Sequence, residues 1–229
     1  MKLKLSLGTV AGLALASLAQ GQAISLVNPS FELPGTGKIS TGFSTITGWN
    51  AFGGALTASD SGVEKDGSGF GTFNAYFNAA DAQNGIEAAQ TTSYGLLGTE
   101  SLQLTFAAEG SYGSEGPGGN YGPLIDPMQL EAQLYYVSAG SQVVFATDLI
   151  TFNTQGSWAN YTFNVAAPSA GAGDYLGVDF YNATTDPAHF NWVEADNVGL
   201  SVVPVPEPGT MALVGLGAGG LLTLRRRRS

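Results

Sequence analysis

The 229-residue chain has no cysteine and a single histidine. Without cysteine it can form no disulfide, offers no thiolate nucleophile and holds no metal through sulfur. His189, in "TTDPAHFNW", would have to serve any Ser-His-Asp arrangement alone. Neither a Gly-x-Ser-x-Gly turn nor a phosphate loop accompanies it, and it reads as a loop or strand-start residue. Basic residues are nearly as scarce. Lys2 and Lys4 stand at one end, Arg225 to Arg228 at the other, and only Lys38 and Lys65 between. From Ile24 to Val203 seventeen acids face two lysines, a net charge of −15. Such a body repels nucleic acid and anionic lipid, so no nucleic-acid partner is expected. It suits solubility, divalent cations or contact with neutral polymers.

The two ends differ from this body. "MKLKLSLGTVAGLALASLAQGQA" has a positive start, an apolar stretch from Leu5 to Leu18 and small residues after it. This is a signal peptide over 1–23, cut by signal peptidase before Ile24; a cut after Ala19 meets the same small-residue rule. At the other end the apolar run Met211–Leu224 is 14 residues. As a helix it covers about 21 Å, short of a hydrocarbon core of about 30 Å, so it spans a bilayer only marginally. The arginines that follow hold its end on the cytoplasmic side, which leaves the body on the far side, as the signal peptide also requires. Before the run, Pro206, Glu207 and Pro208 remove two backbone donors and favour an extended path that a processing enzyme can grip.

Pro206-Glu207-Pro208, the apolar Met211–Leu224 and the Arg225–Arg228 cluster, in that order, resemble the bacterial PEP-CTERM sorting signal. The resemblance covers about 26 residues, 204–229. It implies recognition by an exosortase, transient anchoring in the inner membrane, and release or transfer to the cell surface or extracellular matrix of an exopolysaccharide-making cell.

Between the ends, alternation with period two dominates. Leu102, Leu104 and Phe106 share a face; so do Tyr161, Phe163 and Val165, and Leu176, Val178 and Phe180. Further strands are expected over Ile24–Phe31, Thr72–Phe77, Met128–Val137, Gln142–Ala146 and Phe190–Val203, with a short helical turn within Asp81–Thr91 and a turn over Ser59–Gly69. The pattern predicts an all-β domain at 24–203, an antiparallel sandwich flanked by an N-terminal signal helix and a C-terminal hydrophobic helix. In the last strand Phe190, Trp192, Val198, Leu200 and Val202 share one parity, the expected core face, and Glu194 and Asp196 fall on it too. A buried carboxylate needs a cation, a hydrogen-bond network or a bulge that turns it away.

Asn28-Pro29-Ser30-Phe31-Glu32 near the start and Ala195-Asp196-Asn197-Val198 near the end resemble the galactose-binding-like jelly rolls of non-catalytic carbohydrate-binding modules. That resemblance implies a structural calcium, with Glu32 and Asp196 as ligands, pinning the first strand to the last. For ligands, Tyr112 and Tyr121 in the glycine-rich loop Glu109–Pro127, and Trp158 after a turn, offer flat faces to sugar rings. Trp49, Trp192, Tyr94, Tyr135 and Tyr136 are further aromatic candidates. Paired carboxylates of a glycosidase are not selected by spacing among so many acids. The expectation is a non-enzymatic, exported, exopolysaccharide-associated surface protein. The alternatives are an extracellular polysaccharide hydrolase and a purely structural matrix component.

Overall fold

The computed structural model describes residues 21–33, 39–40, 42–50, 61–65, 71–79, 86–112, 127–153, 157–184 and 191–203. Both expected terminal helices, the motif Pro206-Glu207-Pro208, Tyr121 and His189 lie outside the described residues. Of Tyr112 only the backbone is described.

Ten strands are formed among the described residues: β1 Gln22–Ile24, β2 Gly62–Glu64, β3 Asn74–Asn78, β4 Ala88–Gly95, β5 Ser101–Tyr112, β6 Met128–Ser138, β7 Ser141–Phe152, β8 Ala159–Ala166, β9 Tyr175–Asn182 and β10 Asn191–Val203. One sheet runs β2-β3-β10-β5-β8, with β1 also joined to β10; the other runs β4-β9-β6-β7. The expected antiparallel sandwich is the observed fold, and it occupies Gln22–Val202. β6 and β7 turn through Ala139 and Gly140, both at positive φ, a backbone twist that matches the hairpin strands.

Period two builds the core. Leu102, Leu104 and Phe106 of β5 face Leu130, Ala132 and Leu134 of β6 and Leu176, Val178 and Phe180 of β9, all buried. Phe106 meets Phe180 edge-on at 5.1 Å, an aromatic contact that joins the two sheets. At one end Trp49 is fully buried and stacks on Phe31 at 4.7 Å. Its ring N–H donates to the carbonyl of Asn28 at 2.8 Å, so the one polar atom of the indole is satisfied.

Several local expectations are corrected. The opening strand ends at Ile24; Asn28 and Phe31 adopt left-handed backbone, and Pro29 lacks a donor, so the chain coils instead of extending to Phe31. Of the expected helical turn within Asp81–Thr91, residues 81–85 lie outside the described residues, while Ala88–Thr91 belongs to β4, paired with β9. The Ser59–Gly69 turn contains the short strand β2, paired with Asn74–Tyr76 of β3. β7 continues to Phe152, well beyond Ala146.

The parity of β10 is also corrected. Val193 and Ala195 join the core, then Val198 and Leu200. The face changes across Asn197, whose φ is +50°. A bulge-like residue there lets both apolar pairs point inward and turns Trp192, Glu194 and Asp196 to the other side of the sheet. They are buried on that side as well, beside Asn74, Tyr76 and Asn78 of β3. Asn74 Nδ2 donates to Glu194 Oε2 at 2.8 Å, and Asp196 Oδ1 accepts the N–H of Asn197 at 2.6 Å.

Trp49→Ala empties the Phe31–Phe180 end of the core and removes one of the two hydrogen bonds to the Asn28 carbonyl, the other coming from the Phe31 N–H. The expected loss is about 3–5 kcal/mol, read as a lower urea midpoint at unchanged slope.

Candidate functional site

Strands that turn alternate residues into the core turn the others to the opposite face. In the four-stranded sheet the residues alternating with the core are Glu87, Ala89 and Thr91 at β4, Gly177, Asp179 and Tyr181 on β9, and Glu131, Gln133 and Tyr135 on β6. The ladder puts them in rows. Asp179 lies between Ala89 and Gln133; Gly177 lies between Thr91 and Tyr135; Tyr181 is opposite Glu131, and Glu87 directly precedes Ala88, the partner of Phe180. An acid–tyrosine–glutamine patch therefore covers the middle of the outer face.

Its side chains are tied together. Tyr135 lies across Gly177 so closely that any Cβ there would collide with its ring. Its hydroxyl is 3.0 Å from Thr91 Oγ1. Gln133 Nε2 donates to Glu131 Oε1 at 2.8 Å. Burial, a hydrogen bond to Glu131 and the charges of Glu131 and Asp179 push the Tyr181 phenol up. Burial, opposed by the bond to Thr91, does the same to Tyr135.

Asp179 is the unusual member. It is 1% exposed although it sits on the outer face. Gln142 Nε2 reaches its Oδ2 only at 3.5 Å, the long limit of a hydrogen bond. Its Oδ1 finds no hydrogen-bond partner among the described residues. Burial, then the charge of Glu87 and a hydrogen bond to Glu87, hold its carboxyl well above the ordinary carboxylate range; Gln142 and the backbone of Phe180 oppose this weakly. Two adjacent carboxyls can share a hydrogen bond only while one keeps a proton. Sequence reading passed over this site. The signal available was an acid in the middle of the apolar run "YLGVDFY".

The residues singled out from the sequence are distributed as follows. Glu32 Oε1 accepts the N–H groups of Thr72 at 2.6 Å and Phe73 at 3.0 Å, packed over Gly71, where a Cβ would collide with it. Ala195 of β10 pairs with Ala75 of β3, so Asp196 comes opposite Asn74, next to Phe73. Val198 N–H donates to the Pro29 carbonyl at 2.9 Å. Opening and closing segments thus meet at one end of β3, as the jelly-roll resemblance implied. No group of three or more histidine or acidic side chains suited to a metal occurs among the described residues. Trp158 is half-buried just before β8, in the other sheet. Trp49, Trp192, Tyr135 and Tyr136 are buried, and Tyr94 is half-buried, its hydroxyl 3.5 Å from Glu100 Oε1. Among the described residues no helix is long and apolar enough to cross a membrane.

Fold and tail together define an all-β sandwich carrying a C-terminal address. Residues 204–228 match the PEP-CTERM protein-sorting motif. A chain with this motif is exported, processed by an exosortase and sorted to the cell surface. No curated protein matches the chain. Among solved structures the sandwich is similar to a Stig cyclase, Fisc from Fischerella sp. TAU, at 20% identity and a TM-score of 0.56, covering 81% of this chain and all of the other. At that identity the likeness shows the fold alone. A CBM4 structure (16% identity, TM-score 0.47, 78% of this chain and 99% of the other) and the CBM22-1 xylan-binding domain from Paenibacillus barcinonensis Xyn10C (12%, 0.45, 81% and 99%) are looser neighbours.

The raised titration of Asp179 has a direction for stability. An unfolded aspartate ionises near pH ~3.9. Because the folded group keeps its proton to higher pH, its stabilising contribution is complete below that value and is lost as pH rises through the folded one. Asp179→Asn is expected to remove this slope and to exceed the parent's stability at neutral pH. Urea midpoints measured from about pH 4 to about pH 8 give both quantities.

Proposed function

We propose that the protein is a non-enzymatic surface or matrix component that holds extracellular polysaccharide on the outer face of its four-stranded sheet. The observation behind this reading is the half-buried group of Tyr181, Gln133, Glu131 and Glu87 around the buried Asp179 on the outer face. Flat rings and fixed polar groups are what a pyranose ring requires. The carbohydrate-binding neighbours in outline agree with that chemistry but do not decide it. In this reading the segment 1–23 is removed on export, Met211–Leu224 anchors the chain briefly in the inner membrane, and the exosortase releases it to the exopolysaccharide outside. Trp158, Tyr112 and Tyr121 would make a contact separate from the patch.

For one carboxyl pair, Glu87 and Asp179, the hydrolase alternative meets an objection. Glycosidases keep their two carboxyls about 5 Å apart or more, leaving room for the sugar carbon or for water. Glu87 and Asp179 share a direct hydrogen bond, which is closer than that. A matrix protein with no ligand is the remaining alternative. Affinity electrophoresis in gels of neutral and charged polysaccharides separates the three. The expected result is retardation by at least one polymer, weakened about tenfold by Tyr181→Ala, with no reducing sugar released. Unaltered mobility in every gel supports the ligand-free reading, and sugar release supports the hydrolase.

The same proposal includes a structural calcium on Glu32 and Asp196. The two carboxylates reach the same end of β3, and a hard cation there would take its further oxygens from nearby backbone carbonyls. Its effect would be to close the chain ends of a domain that has no disulfide. Chelation is expected to lower Tm by about 5–10 °C, as for an ion held at roughly a hundred times its Kd. Asp196→Ala and Glu32→Gln should each abolish the response; identical melting curves with and without chelator would remove calcium from the account.

A further inference from the structure

We propose that the outer face of the four-stranded sheet takes its glycan through protonated amino groups, seating an ammonium against Glu87, Asp179 and Glu131. This rests on the glycan-binding reading above and narrows it to one charge class. Gln133 and Tyr181 already serve Glu131, and the Tyr135 hydroxyl is engaged with Thr91. Among the buried side-chain atoms of the patch, Asp179 Oδ1 is the one without a hydrogen-bond partner among the described residues. Whatever binds there must bring an N–H or O–H of its own.

Charge selects between those two. Three acids stand in adjacent rows, and the single basic side chain among the described residues is Lys65, which follows β2 in the other sheet. A sugar hydroxyl would supply a donor but leave the negative charge uncompensated. An ammonium supplies three donors and a positive charge, and can bond Asp179 and Glu87 at once. A uronic acid or sulfate would be repelled. The half-buried ring of Tyr181 flanks this acid row and offers a surface for the sugar carrying the amine.

The groups facing Asp179 are Glu87 from β4, Glu131 and Tyr135 from β6 and Tyr181 from β9, while β7 offers the neutral Gln142. Where a proton bridges the two carboxyls, an ammonium takes its place, so binding releases it. Affinity then rises as pH rises through the range where Asp179 ionises, until the ligand's amine loses its own charge. A neutral glycan that needed the protonated carboxyl as a donor would show the opposite slope.

The test is calorimetry of the exported protein with a glucosamine hexamer and with its fully N-acetylated counterpart. Titrations in two buffers of different ionisation enthalpy read the proton released. The expected outcome is at least about tenfold tighter binding of the amine form, with proton release. Asp179→Asn and Glu87→Gln should each erase the preference. Asp174→Asn removes the same charge outside the patch and should leave it intact. Equal binding of both hexamers, or an equal loss in Asp174→Asn, overturns amino recognition while leaving the glycan reading standing. If neither hexamer nor any polymer in the gel panel is bound, both fail.

Discussion

A residue in a strand can face only one side, and its neighbours decide which. Val178 and Phe180 are fixed in the core, Phe180 by its edge contact with Phe106. Asp179 between them has no freedom to choose: the packing of two apolar side chains holds a carboxyl on the outer face. The same holds for Glu131 and Gln133 between Leu130, Ala132 and Leu134. The candidate site is the complement of the core. Sliding a strand by one residue to relieve the acid would drive the whole apolar set of that strand into solvent, which costs far more than one awkward carboxyl.

A second constraint comes from chain closure. With no disulfide, the domain must hold its two ends by contacts alone. β10 does most of this. It pairs with β3 through Trp192–Ala195 and with β1 through Leu200–Val202, and its Val198 bonds the Pro29 carbonyl. The opening segment is in turn clamped by Glu32 on the amides of Thr72 and Phe73 and by the Trp49 ring on Asn28. Backbone ladder, carboxylate and indole thus converge on one end of β3. A mature chain beginning at Ile24 would lack two of the three residues of β1, Gln22 and Ala23, whereas one beginning at Gln20 would keep the strand whole.

Much of the sandwich was legible because alternation is a direct image of two-faced packing. The inward faces of β5, β8 and β9 follow residue for residue from the sequence. Failures occurred where backbone conformation, not pattern, sets the outcome. Left-handed Asn28 and Phe31 ended the first strand, and Asn197 reversed the parity of β10; both are φ choices that no hydrophobic period records. β4 was missed because "AAQTTSYG" is weakly apolar and its faces become distinct only beside β9. The site failed for a different reason. Its acids lie far apart in sequence, at 87, 131 and 179, and only the register of three strands assembles them. Glu194 and Asp196, two acids close in sequence, are conspicuous by parity, yet they are buried on the outer side of the opposite sheet.

Charge ties the fold to the address. A body at −15 is driven away from acidic polymers at the distances where screening is incomplete, so attachment to such a matrix cannot begin with the bulk surface. Attraction has to come from a ligand of neutral or opposite sign, or from the tail. The arginines stand at the far end of the sorting motif, and removal of the tail on processing would separate them from the body. After processing the protein is more acidic than before, and what remains to hold it in place is short-range chemistry. In the described sheet that chemistry is concentrated where Asp179, Glu87 and Glu131 meet the tyrosines. An acidic body with an acidic socket favours a counterpart that brings positive charge, so the composition as a whole and the local chemistry point to the same sign.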